Sequence, residues 1–326
     1  MVIFNYILVC IIFGTTFLTI KIGIEAGAPP LFSAGIRFFL AGVILMIIFK
    51  LKRKEIMPHI FSRRIIYAGF CLTFMTFATL YWAEQYISSG LAAVLSATGP
   101  MMILLLQTKR NKTKLKKEQL LALIIALIGV VFVSLPGMHQ EISFIWSIAC
   151  FVLIIGELFY GIGSIRSKEI LSDLQSVSPF LINGIQMFYG GVLLLIVSFI
   201  VEQPNVTVLA SWSVQWPILY LICIGSIGGH GLYYWLLSKT NPVFPSTWLY
   251  VSPLIAIIVG YIILGEPLNP IMGIGACFIL VGVFLANRST LRTYFKQGDY
   301  LRRKCSCIKK QPCIKEGCFH FIHNTD

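Results

Sequence analysis

Residues 30–45 read PLFSAGIRFFLAGVIL, and residues 179–194 read PFLINGIQMFYGGVLL. Aligned with a shift of 149, the two stretches share Pro30/Pro179, Gly35/Gly184, Ile36/Ile185, Phe39/Phe188, Gly42/Gly191, Val43/Val192 and Leu45/Leu194. Further along, a shift of 153 pairs Tyr81-Trp82 with Tyr234-Trp235, Pro100 with Pro253, and Gly129-Val130 with Gly282-Val283. Any one match is unremarkable in such apolar sequence. Their common order along two halves marks an internal repeat.

The solvent for these halves follows from composition. Of 326 residues, 57% are hydrophobic and 12% charged, where a water-soluble domain carries roughly 25% charged residues. The excess apolar surface requires a bilayer. Runs near the ~20 residues that cross the hydrocarbon fall at 4–24, 33–49, 65–86, 88–107, 119–135, 144–165, 179–201, 215–237, 244–264 and 270–287. Short connections marked by Pro, Gly or charge separate them. The first span lacks a basic leader and is followed by further spans, so a cleaved signal peptide is not expected. Ten spans in two halves give five per half, and an odd number inserts the second half upside down. The expected fold is therefore an all-α integral membrane protein of ten transmembrane helices in two inverted five-helix repeats. The first repeat covers 4–135 and the second 144–287, with a basic Cys-rich tail at 288–326.

Charge placement supplies the orientation. The net charge is +13, and all but Lys21 and Arg37 of the 26 basic residues lie in loops on one side of alternating spans or in the tail. This is the positive-inside pattern, and it predicts cytoplasmic N and C termini. The basic loops serve as topology signals that touch anionic lipid, and nucleic acid is not an expected partner.

Of nine cysteines, Cys10, Cys71, Cys150, Cys223 and Cys277 fall in spans, where cysteine behaves as a small hydrophobe. Cys305, Cys307, Cys313 and Cys318 crowd the tail beside His320 and His323. Their spacing lacks the paired C-x-x-C knuckles of a zinc site, so neither a metal nor any other cofactor is expected. A disordered basic tail is the reading preferred.

An ionisable side chain within a span is costly and is by default a functional candidate. Lys21, Arg37 and Glu84 share the outer third of spans 1, 2 and 3, where Glu84 would pair with Lys21 or Arg37. Arg37 sits deepest of the three, and its planar fork suits a carboxylate or phosphate. Glu157, near the middle of span 6, suits a proton-coupling site, with a hydrogen bond to a nearby carbonyl as the alternative. Asn183, Gln186 and His230 lie in the inner part of spans 7 and 8, and Gln186 is the repeat counterpart of Arg37. The recurring pairs Tyr81-Trp82 and Tyr234-Trp235 offer walls for a substrate, but adjacent helical residues diverge by about 100°, so at most one of each pair faces a cavity. Trp248, near a span end, reads as an interfacial residue. Thr15 and Thr16 line the path or bond helix to helix, and the mid-span prolines Pro100 and Pro253 kink their helices where protein must re-satisfy the backbone.

Several motifs resemble a known family. Phe13-Gly14-Thr15-Thr16-Phe17, Ile20-Lys21-Ile22-Gly23, Pro29-Pro30 and Arg37-Phe38 are similar to the opening of an EamA-type repeat of the drug/metabolite transporter superfamily. Ala83-Glu84-Gln85-Tyr86 with Ser89-Gly90-Leu91-Ala92-Ala93-Val94 resembles its third-to-fourth span junction. Ser252-Pro253, Leu264-Gly265-Glu266-Pro267 and Gly282-Val283 resemble its end. The resemblance covers about residues 10–288 and implies two inverted five-helix repeats that move amino acids, nucleotide-related metabolites or drugs. Two positions depart from it: Lys112-Thr113 stands opposite Gly265-Glu266, and Tyr160 stands where the sixth span often has Trp.

The function expected is a secondary transporter, an exporter of small metabolites such as amino acids, working by alternating access in the bacterial inner membrane. Inverted repeats suit that mechanism because two like halves rock about a midplane site. No nucleotide-binding loop of the G-x-x-x-x-G-K type is present. A membrane scaffold or sensor acting through the basic tail is the alternative. An intramembrane enzyme fits less well, since no H-E-x-x-H or Asp-rich motif appears. The substrate, the direction of flow, proton coupling and oligomeric state stay open at this level.

Overall fold

The computed structural model describes residues 1–288 except 115, 136–142, 205–206, 208–209 and 260–269. The expectations for the Gly265-Glu266-Pro267 turn and for the Cys-rich tail lie outside the described residues. Residues Met1–Asn287 form one compact unit, helical throughout its described elements. Seven helices are long and apolar enough to cross a membrane: α1 Val2–Glu25, α2 Pro30–Leu51, α3 Arg63–Ala83, α4 Leu91–Arg110, α6 Phe144–Asp173, α7 Pro179–Val201 and α10 Pro270–Arg288. Between them lie α5 Lys117–Ser134, α8 over 212–239 and α9 over 243–259, the last containing the shorter apolar stretch Val243–Ile255.

The outer surface explains the composition. Phe4, Ile7 and Ile11 of α1, Phe199 and Ile200 of α7, and Leu280, Val281 and Phe284 of α10 all point outward. Apolar faces on this scale belong in lipid, where each backbone group must bond within its own helix. α6 has 30 residues, about 45 Å at 1.5 Å per residue, which exceeds the hydrocarbon thickness. Its last turns carry Glu169 and Asp173, which pair with Arg110 and Arg64 at 2.6 Å each. Exposed ion pairs of this kind contribute little stability, but they bring the ends of α3, α4 and α6 together.

Several helices are interrupted rather than straight. α1 turns at Thr15, α4 breaks at Ala97–Thr98 and α9 at Thr247. Pro100 therefore differs from its expected mid-helix place. It sits in the first turn of the second piece of α4, where its missing N–H leaves no broken bond. Pro253 lies inside its helix as expected. π-helical segments occupy Phe70–Met75 in α3 and Leu221–His230 in α8, matched stretches under the 153 shift. Such bulges mark positions where a helix trades regularity for side-chain placement.

The repeat governs the packing. α2 and α7 cross so closely that a Cβ added at Gly42 would lie 2.5 Å from Phe188 N and 2.7 Å from Gly184 O, and one at Gly191 would strike the backbone of Phe39. These contacts are reciprocal, because Gly42/Gly191 and Phe39/Phe188 are repeat mates. α5 and α10 behave likewise: a Cβ added at Gly129 would lie 2.7 Å from Ile279 N, and one at Gly282 would lie 2.5 Å from Ala126 N. Small residues matter here because lipid gives no hydrophobic drive between helices, leaving close van der Waals contact to hold them. The same crossing is locked at one end, where Glu202 at the C-cap of α7 accepts from Leu31 N at 2.7 Å and Phe32 N at 2.9 Å. Those are orphan donors in the first turn of α2, and a carboxylate is favoured there.

Gly42→Ala and Gly191→Ala should each lower stability by about 1–3 kcal/mol through overpacking, read as a lower thermal midpoint of the purified protein. Gly273→Ala, whose added Cβ meets nothing within 4 Å, should show no such loss.

Candidate functional site

A small cavity opens where helices of both halves converge. α1 contributes Phe13, Thr16, Phe17 and Ile20; α2 contributes Arg37; α3 contributes Leu72, Thr76, Phe77 and Leu80; α4 contributes Ser96. From the second half come Glu157 and Tyr160 of α6, His230 and Tyr233 of α8, and Trp248 and Leu249 of α9. Apolar walls with a few convergent polar groups are the usual character of a small-molecule site.

Arg37 is buried, at 1% exposed. It donates from Nε to Ser226 Oγ at 2.8 Å and from Nη1 to Tyr81 OH at 3.2 Å. Its guanidinium carbon lies 4.6 Å from the Phe38 ring centre and 5.4 Å from that of Phe77. Ser226 belongs to the π-helical segment of α8, so the bulge in one half supplies a partner for the cation of the other. Among the described residues Arg37 forms no ion pair, which leaves its charge unneutralised beside the cavity. His230 is held edge-on against Phe13, Phe38 and Phe77, at 4.9, 5.6 and 5.4 Å between ring centres.

Glu157 is equally buried, and its Oε2 has no hydrogen-bond partner. Gly99, at the break in α4, makes room for it, since a Cβ there would lie 2.5 Å from that oxygen. Beyond Glu157 the lining passes into a run of hydroxyls. Tyr160 OH donates to Tyr233 OH at 3.1 Å, and Ser164 Oγ lies 3.0 Å from the same Tyr233 oxygen. Next to it, Tyr234 OH donates to Gln186 Oε1, and Ser167 Oγ donates to that oxygen at 3.2 Å.

The repeat reappears here in the chemistry. Arg37 bonds Tyr81, and their repeat mates Gln186 and Tyr234 bond each other. Yet Arg37 lines the cavity and Gln186 does not. The two lysines follow the same rule. Lys21 donates to the carbonyls of Glu84 at 2.8 Å and Ile87 at 3.4 Å, while Lys168 donates to those of Leu237 at 2.9 Å and Ser238 at 3.0 Å. Glu84 and Leu237 are again 153 residues apart. Lys21 thus holds carbonyls just past the end of the third helix of its half, and Lys168 holds carbonyls in the last turn of its counterpart.

Of the residues singled out from sequence, Thr16, Arg37, Glu157, Tyr160 and His230 meet in the cavity. The expected pairing of Lys21 with the Glu84 carboxylate is replaced by a bond to the Glu84 backbone, and both Glu84 oxygens are buried without a partner. Thr15 joins α1 to α8 through Tyr220 OH at 2.6 Å, and Thr16 returns its hydroxyl to Phe13 O at 2.8 Å. Gln186 and Tyr234 form the separate network described above, and Asn183 is buried in α7 with Nδ2 unpartnered. Trp82 packs against Tyr86, ring centres 5.1 Å apart and tilted by 58°, and Trp235 is half-buried; neither lines the cavity. Pro100 and Pro253 do not line it either. Trp248 is a correction. Instead of an interfacial position it lies in the cavity wall, 4.4 Å from Phe13 and 6.2 Å from Phe17 between ring centres. Phe13, Phe17, Phe77, Ser96 and Tyr233 were not singled out. The i, i+4 spacing of Phe13 and Phe17 was the visible signal, but aromatic pairs at that spacing serve lipid faces equally well.

Comparison with known proteins accords with this picture. The EamA-like transporter family model matches residues 1–135 and again 147–288. An uncharacterized inner membrane transporter of Escherichia coli K12, YedA, is 28% identical over 276 residues, covering 84% of this chain and 87% of that protein. A Salmonella typhimurium protein named probable amino-acid metabolite efflux pump is 26% identical over 301 residues, covering 86% and 93%. Protein PecM of Dickeya dadantii is 23% identical, covering 93% and 95%. One crystal structure superposes with a TM-score of 0.70 at 13% identity over 89% of this chain and 97% of its own, a likeness of fold alone. The chain belongs to the EamA-like transporter family and is a multi-pass membrane protein.

Tyr81→Phe removes a partner of a charged group and should destabilise by about 1.5–3 kcal/mol, whereas Tyr234→Phe removes a neutral bond and should cost about 0.5–1.5 kcal/mol. Chemical denaturation of the purified variants checks the ranking.

Proposed function

We propose that this member of the EamA-like family is a secondary transporter of the bacterial inner membrane, an exporter of small zwitterionic metabolites such as amino acids, working by alternating access. The observation that carries the reading is the asymmetric use of a symmetric site. Arg37 and Gln186 occupy equivalent places in the two halves, yet only Arg37 faces the cavity. A rocking motion that closed the Arg37 side and opened the Gln186 side would present the same central groups, Glu157 and Tyr160, to the opposite face of the membrane. The lysine latches at Glu84 and Leu237 then serve as one fastening per side. Glu157 is the group we assign to proton exchange, releasing a proton as a substrate cation arrives.

All ten helices α1–α10 cross the membrane in this reading, with 4–135 and 144–287 as inverted repeats and both termini cytoplasmic. Support comes from the ion pairs of Arg64 with Asp173 and Arg110 with Glu169, which join the start of α3 and the end of α4 to the end of α6, as alternation requires. The reciprocal glycine contacts of α2 with α7 and of α5 with α10 support the inverted relation. The amino-acid assignment draws on the relative named as an efflux pump and on the presence of both Arg37 and Glu157 at the cavity.

Uptake into proteoliposomes from a pool of amino acids and nucleotides, with and without a pH gradient, tests the reading. Gradient-driven accumulation should fall at least about tenfold in Glu157→Gln, equivalent to about 1.4 kcal/mol in driving interaction. Flux indifferent to both gradient and variant would make the protein a facilitator or exchanger and remove Glu157 from coupling. Absence of flux for the whole pool would favour a scaffold acting through the basic tail.

A further inference from the structure

Three buried polar atoms of cavity-lining residues lack a well-formed hydrogen bond: Glu157 Oε2, Ser96 Oγ and Trp248 Nε1. Their residues are 4%, 1% and 8% exposed, and all three line the cavity. They come from α6, α4 and α9, so no single helix explains the cluster. Ser96 faces the Glu157 carboxyl, and Trp248 faces Tyr160, one turn along from Glu157. Both are loose hydrogen-bonding approaches, and neither reaches well-formed hydrogen-bond geometry at Ser96 Oγ or Trp248 Nε1. A buried polar group with its hydrogen bonding incomplete is costly, and native structures rarely leave such groups bare of a water, ion or ligand to meet them.

The donor and acceptor character of the three atoms defines what would fit. A carboxylate only accepts, an indole N–H only donates, and a serine hydroxyl does either. Arg37, by contrast, already gives Nε to Ser226 and Nη1 to Tyr81. We propose that Ser96, Glu157 and Trp248 form the head-group subsite of the transported molecule, binding a primary or secondary amine whose neighbouring oxygen accepts from Trp248 Nε1. The amine donates to Glu157 and Ser96. The aromatic wall of Phe13 and Phe17 beside Trp248 takes an apolar or aromatic body and adds cation–π attraction for the amine. This deepens the transporter reading and rests on it for the word substrate, but its geometry stands without it.

The full-length protein in lipid nanodiscs is titrated with phenethylamine, phenylalanine and 3-phenylpropionate, probes that share one aromatic body and differ in their heads. Calorimetry gives the affinities. The two amines should bind at least about tenfold more tightly than the acid, and Glu157→Gln should bring all three within about twofold of one another. Ser96→Ala should weaken both amines about threefold, and Trp248→Phe, which keeps a ring and removes the N–H, should weaken phenylalanine about threefold or more while leaving phenethylamine unchanged. Tighter or equal binding of 3-phenylpropionate, no binding of any probe, or an unchanged ranking in Glu157→Gln overturns the subsite. The wild-type ranking requires no variant, and ligand-free unfolding midpoints identify any variant that fails to fold. Flux of the same probes in proteoliposomes separates the two claims. Amine-selective binding without flux keeps the subsite and removes transport, while flux of 3-phenylpropionate alone removes the subsite and keeps transport.

Discussion

The crossing of α2 and α7 is the constraint on which the rest of the molecule depends. In lipid, two helices gain nothing by hiding apolar side chains from one another, because the lipid tails are as apolar as the helices. What holds them is contact close enough to sum many small dispersion terms, and Gly42 and Gly191 permit that by bringing backbone against backbone. Each glycine lies five residues beyond the polar residue of its helix, Arg37 or Gln186. Fixing the crossing therefore fixes where both polar groups stand relative to the central space. Glu202 completes the arrangement by capping the first turn of α2 from the end of α7.

Around that crossing the molecule repeats its solutions and then departs from them where function needs a difference. Both halves carry a π-helical stretch in the third helix, a tyrosine bonded to the polar residue of the second helix, and a lysine fastened to backbone carbonyls. The departure is that one polar residue is a cation facing the cavity and the other a neutral amide bound within a hydroxyl network. A cation buried against Phe38 and Phe77, with only neutral hydrogen-bond partners, keeps its field directed at whatever enters. Around Gln186 the groups are neutral, with Tyr234 OH and Ser167 Oγ both donating to Gln186 Oε1.

The central groups obey a different logic. Glu157 stands where α4 breaks, and the glycine at that break gives its carboxyl room. A broken helix exposes backbone that lipid would not tolerate, so it survives only where protein or a cavity surrounds it. Interrupted α4 and α9, with the Glu157 carboxyl and the Trp248 indole N–H close by, give the cavity wall its unmet polar capacity.

The sequence by itself determined the all-helical membrane class and the long apolar helices, because each is a property of neighbours along the chain. Apolar runs of spanning length read directly as the helices found; the span expected at 179–201 has those bounds in the structure. The repeat was visible because a helix crossing needs glycine at a fixed register in both halves. Arg37 and Glu157 were legible as candidates, since a charge in a span has few bland explanations. What only the tertiary structure decided was partnership and facing. Lys21 found a carbonyl rather than the Glu84 carboxylate, Tyr233 rather than Tyr234 turned to the cavity, and Trp248 left the expected interface for the cavity wall. The physical reason is common to all three. In a helix that is apolar all round, periodicity does not distinguish a lipid face from a cavity face, and the choice is made by the rotation and breaks that packing against other helices imposes.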